Sequence, residues 1–192
     1  IRKRQSAIDS VLGATGCIYA MRRELAAPLP PGTLLDDVYL PLAAFFRGYR
    51  VILEEAARAY DRPTSLAAEF RRKVRTQAGV YQLLRAYPAL LGPRNRMWIH
   101  FVSHKLGRLV APFALIAAAL ASFGLAPPWR TAALAVQAGF YGLGLVDAAV
   151  PGGWALKRLT SPVRTFLVLM AAALAAASIL FRPGQELWKQ PG

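Results

Sequence analysis

The sequence contains very little of the residue types that build disulfide frameworks and metal centres. It has one cysteine, Cys17, and two histidines among 192 residues. A single cysteine excludes a disulfide within the chain, which therefore gives no sign of a disulfide framework. His100 and His104 have a helical spacing, but no Cys, Asp or Glu lies near them in sequence as a further ligand. We therefore predict no metal site in this chain.

Acidic residues are also scarce. The chain has 24 Lys and Arg against 10 Asp and Glu, a formal net charge of +14, although 55% of it is apolar. Residues 1–108 hold 18 of the basic and 8 of the acidic residues, whereas residues 109–192 hold 6 and 2 in far more apolar sequence. Such basicity is found in nucleic-acid-binding proteins and in the flanks of membrane proteins. Because the basic residues lack interleaved exposed aromatics, we expect no nucleic-acid partner.

Three apolar runs without a central charge occupy the second part, at Leu109–Ala126, Thr131–Val150 and Thr165–Phe181. Each is close to the roughly 17–25 residues that cross a bilayer as a helix. The amphipathic segment before them predicts a helix lying at the interface. Asp147, one turn before Pro151, is expected to reach the headgroups. A soluble helical bundle is the alternative, since Ala-rich runs also fill protein cores.

The first part mixes helical and strand-like patterns. Thr33 as an N-cap, the apolar series after it and Gly48 as a C-cap predict a helix over about Leu34–Arg47. Tyr49–Leu53, with the sequence Tyr-Arg-Val-Ile-Leu, predicts a short buried strand. A loop, a helix, a glycine and a strand in this order are typical of an α/β domain.

Two charged motifs stand out in this part. Asp36 and Asp37 lie just inside the predicted helix start, where the macrodipole favours ionised carboxylates. Taken alone, two acids at this position are more often plain helix capping than a functional site. A second helix, predicted over Ser65–Leu84, carries Arg71, Arg72, Lys73 and Arg75. Arg72 and Arg75 share one helix face and could clamp a diphosphate, or form a basic cluster that faces lipid.

In order and spacing, these motifs resemble family-2 glycosyltransferases with a GT-A fold, especially the membrane-bound polysaccharide synthases related to cellulose and hyaluronan synthases. That family has a Gly-rich acceptor-side segment, a helix-start motif ending in the catalytic Asp, a Gly-Tyr-Arg strand, a Gln-x-x-Arg-Trp helix and then membrane helices. The matching positions, in the same order, are Gly13–Cys17, Asp36-Asp37, Arg47–Arg50, Arg72–Thr76 with Gly79, and the three apolar runs. The resemblance covers nearly the whole chain.

The resemblance implies a role for each matching position. Asp37 corresponds to the general base that takes the proton from the acceptor hydroxyl, and Asp36 to the acidic residue that shapes the site before it. Arg75 corresponds to the arginine that holds the nucleotide diphosphate, with Arg72 beside it. Gly16 and Cys17 fall in the acceptor-side loop, where simple packing is the alternative.

Two departures from the family pattern affect these roles. Arg72 stands where the family has Gln, and Thr76 stands where it has Trp. The family's Trp helps to form the site for the terminal sugar of the acceptor, so its loss weakens the case for processive synthesis and leaves processive synthesis and single addition both open. The family's first half, with its nucleotide-binding strand and Asp-x-Asp metal motif, has no counterpart in this sequence. The chain also begins Ile1-Arg2-Lys3-Arg4, without Met or a signal-peptide pattern.

We therefore expect an incomplete part of an enzyme, inactive alone, whose Mg²⁺ or Mn²⁺ is bound by residues outside this chain. The predicted fold is α/β, the C-terminal part of a GT-A catalytic domain (residues 1–96), then an interfacial helix (97–108) and an all-α membrane domain of about three transmembrane helices (109–192). The predicted function is inverting transfer from a nucleotide-sugar, a UDP-sugar, to a polysaccharide or lipid-linked acceptor at the cytoplasmic face of the bacterial inner membrane. The alternative is a non-catalytic basic membrane protein that binds anionic lipid or a protein partner.

Overall fold

The chain is mainly helical throughout the part that the structure describes. The computed structural model describes residues 2–60 and 66–181. The α-helices among these residues are α1 (Arg2–Ile8), α2 (Asp36–Phe46), α3 (Leu66–Ala86), α4 (Trp98–Phe101), α5 (Gly107–Phe123), α6 (Trp129–Val146) and α7 (Lys157–Ala176). A π-helical segment, Val102–Leu106, joins α4 to α5, and 3-10 turns lie at Arg23–Leu25, Pro88–Leu91 and Ala177–Leu180.

The predicted α/β fold is wrong. The described residues, 2–60 and 66–181, are 65% helical and contain no strand or sheet. The predicted strand Tyr49–Leu53 has no regular secondary structure, and one backbone hydrogen bond joins it to Val11. Two of its amides donate to serine hydroxyls 2.9 Å away, Val51 to Ser10 and Leu53 to Ser6, and the Tyr49 amide donates to the Ala44 carbonyl. A strand needs a ladder of backbone bonds to a neighbour. Because serine hydroxyls fill that place, no ladder forms.

The residues before α2 hold one helix that the sequence did not indicate, Arg2–Ile8. The pattern of Ile8–Tyr19 predicts a strand or a loop, and residues 9–19 are irregular, with one isolated bridge between Thr15 and Ile18. The sequence favours one helical turn at Met21–Leu25, and a 3-10 turn forms at Arg23–Leu25. Short segments of this kind are governed by tertiary contacts more than by local propensity.

The predicted helix over Leu34–Arg47 is confirmed as α2, two residues shorter at its start. Gly48 follows it with φ of +91°, a conformation that glycine adopts without steric cost, so it ends the helix as predicted. The second predicted helix is confirmed as α3, and the Ser65 with which the prediction begins lies outside the described residues. Ala78 of α3 is fully buried against Leu34.

The described residues form two compact units, and each has its own packing. The first contains the residues up to Gly107 together with those from Ala176, and the second is Arg108–Ala175. The core of the first unit is apolar, and its most deeply buried members are Leu34, Leu42, Phe45, Ala78, Val80, Leu83, Leu90, Met97 and Phe101. Burying one Leu or Phe side chain contributes about 1.5–3 kcal/mol, so this set stabilises the unit despite its many surface cations.

Two helical stretches are long and apolar enough to cross a membrane, which supports membrane association of the chain. They are Trp98–Phe123, of 26 residues, and Lys157–Leu180, of 24 residues. The first includes most of the predicted interfacial segment 97–108, which continues into α5 without a break. The middle predicted span is the 18-residue helix α6, which is not one of these two stretches.

Asp147 does not extend outward as expected. It follows α6 directly and is only 2% exposed. Gly144, one turn earlier, packs against Leu167 and Val163 of α7, whereas Gly139 and Gly142 have no neighbour within 4 Å among the described residues. Close approach of α6 and α7 therefore depends on one of the three glycines, and it encloses the carboxylate.

Candidate acidic site at the start of helix α2

Asp36 and Asp37 form the first turn of α2, as the sequence predicts. Leu35 occupies the N-cap position and offers no side-chain hydrogen bond, while the predicted cap, Thr33, donates its hydroxyl to the Pro30 carbonyl at 2.6 Å. Asp36 is exposed and Asp37 is half-buried. Without a capping side chain, the two carboxylates are the groups that complement the positive end of the helix.

The Gly-rich loop of residues 13–17 lies directly against Asp37. The Ala14 amide donates to the Asp37 carbonyl at 2.7 Å. A methyl group added at Gly16 would lie 3.2 Å from Oδ2 of Asp37. Because Gly16 has no side chain, its backbone approaches the carboxylate closely and leaves that side of it uncovered. Cys17 follows with an exposed thiol.

Arg2 holds this loop in place through three hydrogen bonds. Its Nη1 donates to the Thr15 hydroxyl at 2.6 Å, and its Nη2 donates to the carbonyls of Gly13 and Ala14, both at 2.7 Å. Hydrogen bonds from a charged donor are among the stronger ones in proteins. The same guanidinium acts electrostatically on Asp37. Arg2 thus serves both the shape of the loop and the charge balance of the site.

The pKa of the Asp37 carboxyl is raised above its ordinary value of 3.8. Burial is the main cause and the adjacent Asp36 charge adds to it, while the positive charges of Lys105 and Arg2 lower the pKa. Burial and like charge therefore outweigh the helix N-terminus, which favours the ionised form. A raised pKa makes the ionised carboxylate a better proton acceptor, which is the property that a general base needs.

Helix α3 carries the arginines predicted to bind a diphosphate. Arg72 pairs with Glu69 one turn earlier, at 2.8 Å, and Lys73 pairs with the same carboxylate. Hydrogen bonds from Lys73 and Arg72 lower the pKa of Glu69 from 4.5 to about 2. This single carboxylate lies among four cations, since Arg71 and Arg75 are close in sequence. The stretch therefore keeps an excess of positive charge.

Gly79 brings this helix close to the two carboxylates. A methyl group at Gly79 would overlap Cγ of Leu35 and would lie 3.3 Å from Cβ of Leu34. Leu35 immediately precedes Asp36, and Arg75 lies one turn before Gly79 on the same face of α3. The arginine-bearing face of α3 therefore packs towards the start of α2. The roles predicted for Arg72 and Arg75 remain predictions.

The Gly-Tyr-Arg segment after α2 is held by contacts that the sequence did not reveal. Arg50 donates to the carbonyls of Asp9 at 2.6 Å and Ser6 at 2.8 Å. Arg96 pairs with the Asp9 carboxylate at 2.9 Å, and its guanidinium lies 4.6 Å from the centre of the Phe45 ring. These contacts are structural, and they fix the segment that follows the end of α2.

Sequence reasoning missed three cations that shape this part of the molecule: Arg2, Arg96 and Lys105. Each acts on residues far away in sequence, and no local pattern marks such contacts. The described residues contain no group of three or more His, Cys, Asp or Glu that could hold a metal ion. Comparison of the chain with protein-family models, curated proteins and solved structures found no match. A functional conclusion must therefore come from the residues and their geometry.

Proposed function

We propose that this chain is the acceptor-and-base portion of an inverting family-2 glycosyltransferase located in the bacterial inner membrane, with its catalytic residues on the cytoplasmic side. The observation that carries the proposal is the half-buried Asp37 carboxylate, whose pKa is raised and whose Oδ2 faces the bare backbone of Gly16. The order of motifs in the sequence and the two stretches able to cross a membrane support it.

In the proposed reaction, Asp37 takes the proton from an acceptor hydroxyl as the hydroxyl oxygen attacks the anomeric carbon of a UDP-sugar. The new bond forms on the face opposite the leaving group, the bond from the anomeric carbon to the phosphate oxygen breaks, and the configuration inverts. The half-buried position of Asp37 keeps part of its solvation shell away, which favours acceptance of the proton. The acceptor is a polysaccharide or a lipid-linked glycan.

The arginines of α3 would serve the other half of this reaction. The departing nucleotide diphosphate gains negative charge as the bond breaks, and fixed cations lower the energy of that charge. Arg75 lies on the α3 face that reaches Leu35, and Arg72 adds charge one turn away from it. A divalent cation, Mg²⁺ or Mn²⁺, would supply further charge neutralisation in the full-length enzyme. The described residues do not fit such a cation, so the steps above do not involve it.

The test is Asp37→Asn in the full-length protein. Asparagine keeps the size of the side chain but cannot accept the proton, so we expect donor binding to persist and sugar transfer to fall by about 10²–10⁴-fold, the usual contribution of a general base. Glu55→Gln is the matched control, since Glu55 is an exposed carboxylate that pairs only with Lys3 among the described residues. Sugar transfer at the normal rate by Asp37→Asn would show that Asp37 is not the general base.

A non-catalytic basic membrane protein is the second candidate, and the net charge of +14 favours it. Such a protein would bind anionic lipid or an acidic partner through its first 108 residues and would need no nucleotide-sugar. Equilibrium binding of a radiolabelled UDP-sugar to the full-length protein separates the two. Saturable donor binding supports the enzyme, while its absence together with salt-sensitive binding to anionic vesicles supports the second candidate.

A further inference from the structure

A second cluster of charged groups lies where α6 ends and α7 begins. The Asp147 side chain is only 3% exposed. Its Oδ1 accepts hydrogen bonds from the hydroxyls of Thr160 at 2.7 Å and Ser161 at 3.0 Å. Its Oδ2 lies 3.2 Å from both Lys157 Nζ and Arg164 Nη1. Four donors from α7 therefore share one carboxylate.

One carboxylate does not balance the cations around it. Asp147 is the single acidic residue in the sequence between positions 108 and 175. Lys157 directs two of the three N–H groups of its ammonium at Asp147, to the backbone oxygen at 2.7 Å and to Oδ2. Arg158 is exposed and has no ion-pair partner among the described residues. The cluster therefore presents a net positive charge to its surroundings.

Large apolar side chains surround these cations at the surface. Trp154 is 63% exposed, Leu156 is 44% exposed and Leu159 is 58% exposed. All three lie within a few residues of Lys157, where the second stretch able to cross a membrane begins. Tryptophan next to Lys and Arg at the end of such a stretch is the combination found at the level of lipid headgroups.

The backbone amides at the start of α7 are already engaged. The amides of Lys157 and Arg158 donate to the carbonyls of Trp154 and Ala155, each at 3.0 Å. An anion at this position would therefore be held by side-chain cations and not by the end of the helix. The remaining donors are those of Arg158, the third N–H of Lys157 and the N–H groups of Arg164 that do not face Asp147.

We propose that the α6–α7 connection binds the headgroup phosphate of an anionic phospholipid. Arg158 and Lys157 hold the phosphate, and Trp154 and Leu159 contact the glycerol and upper acyl region. Asp147 is a positioning residue that fixes Lys157 and Arg164 from within the unit. The partner is a lipid and not a soluble anion because exposed apolar side chains lie beside the cations. The cations suit the phosphate of a lipid headgroup, and the apolar side chains suit the acyl chains next to it. This site does not depend on the proposed transferase activity.

The test uses the whole chain in nanodiscs that contain defined mixtures of phosphatidylglycerol and phosphatidylcholine. Lipid that remains bound after transfer to detergent is counted by native mass spectrometry. Arg158→Gln is expected to weaken retention of phosphatidylglycerol about fivefold, the effect of one basic side chain near an anionic surface, and to leave phosphatidylcholine unchanged. Arg130→Gln is the matched control, because Arg130 is also exposed and also follows a surface tryptophan, at the start of α6.

Three outcomes would overturn the proposal. Equal losses in the Arg158 and Arg130 variants would show diffuse surface charge instead of a site. Unchanged retention of phosphatidylglycerol by Arg158→Gln, with unchanged helicity, would show that Arg158 does not bind the phosphate. Displacement of phosphatidylglycerol by millimolar inorganic phosphate would identify a site for a free anion. Arg158→Lys serves as the second variant, and retention of phosphatidylglycerol at the normal level in it would support recognition by charge.

Discussion

Gly79 allows α3 to pack against the residues that begin α2, and we predict that Gly79→Ala destabilises this packing. The added methyl group would overlap Cγ of Leu35 and would lie 2.7 Å from its Cδ1. It would also lie 3.3 Å from Cβ of Leu34. Two of these three atoms are close to the backbone, so rotation of a terminal methyl group cannot relieve the overlap. Either α3 or the start of α2 has to move.

Two opposing effects set the size of the change. Overpacking a well-packed core costs about 1–3 kcal/mol. Alanine in place of glycine inside a helix offsets about 0.5–1 kcal/mol of this, because it reduces the freedom of the unfolded chain. The net loss is on the order of 1 kcal/mol, which corresponds to a fall in Tm of about 2–4 °C for a chain of this length. Under the proposed function, displacement of the Asp36-Asp37 turn should also reduce sugar transfer.

Thermal unfolding in one detergent, followed by circular dichroism, compares this variant with two other glycine substitutions. Gly139→Ala has no neighbour within 4 Å among the described residues and should leave Tm unchanged or raise it slightly. The Tm of Gly144→Ala should lie between those of Gly79→Ala and Gly139→Ala, because the atom that the new methyl group overlaps is a terminal methyl carbon of Leu167, which can rotate away. If Gly79→Ala were as stable as Gly139→Ala, the packing described at Leu35 would be incorrect.

Three further predictions follow from the charged groups. As the proposed base, Asp37 must be ionised, and burial raises its pKa above 3.8, so the proposed sugar transfer should fall with decreasing pH before that value is reached. Lys105→Met should move this acid limb to higher pH in a rate–pH profile. Lys73→Met should raise the pKa of Glu69 from about 2 towards 4.5 in a carbon-detected NMR titration, and an unchanged pKa would contradict the pairing. In the unmodified protein, the stability that Glu69 contributes is lost as the pH falls from about 4.5 to about 2. Asp147→Asn should lower Tm in nanodiscs because two cations lose their counter-ion, and an unchanged Tm would argue against the buried cluster.

Helices α2 and α3 were predictable from the sequence because each has a local signal, whereas α1 was not indicated by one. The apolar periodicity of α3 and the Gly48 that ends α2 are read within a few residues, and the structure confirms both helices. The placement of Asp36 and Asp37 at a helix start followed from the same signals. Patterns of this kind depend on backbone geometry that neighbouring residues determine on their own.

Whether the strand-like segment would join a sheet could not be predicted from local signals. Tyr49–Leu53 has the composition of a strand, but whether a strand pairs depends on residues elsewhere in the chain. Here α1 and two serine hydroxyls face it instead. The hydrogen bonds of Arg2 could not be predicted for the same reason, since its partners are 11 to 13 positions away in sequence. Asp147 was misplaced because its burial depends on α7, which begins ten residues later.

The two serines that face the segment Tyr49–Leu53 have a consequence for how the protein behaves in solution. An extended segment with unpaired amides and apolar side chains is a template for pairing with a second molecule. Ile52 is 63% exposed, and an exposed apolar side chain does not oppose such pairing as a charged one would. The hydroxyls of Ser6 and Ser10 occupy the amides of Leu53 and Val51. We expect these two hydrogen bonds to oppose pairing of this segment with a second molecule.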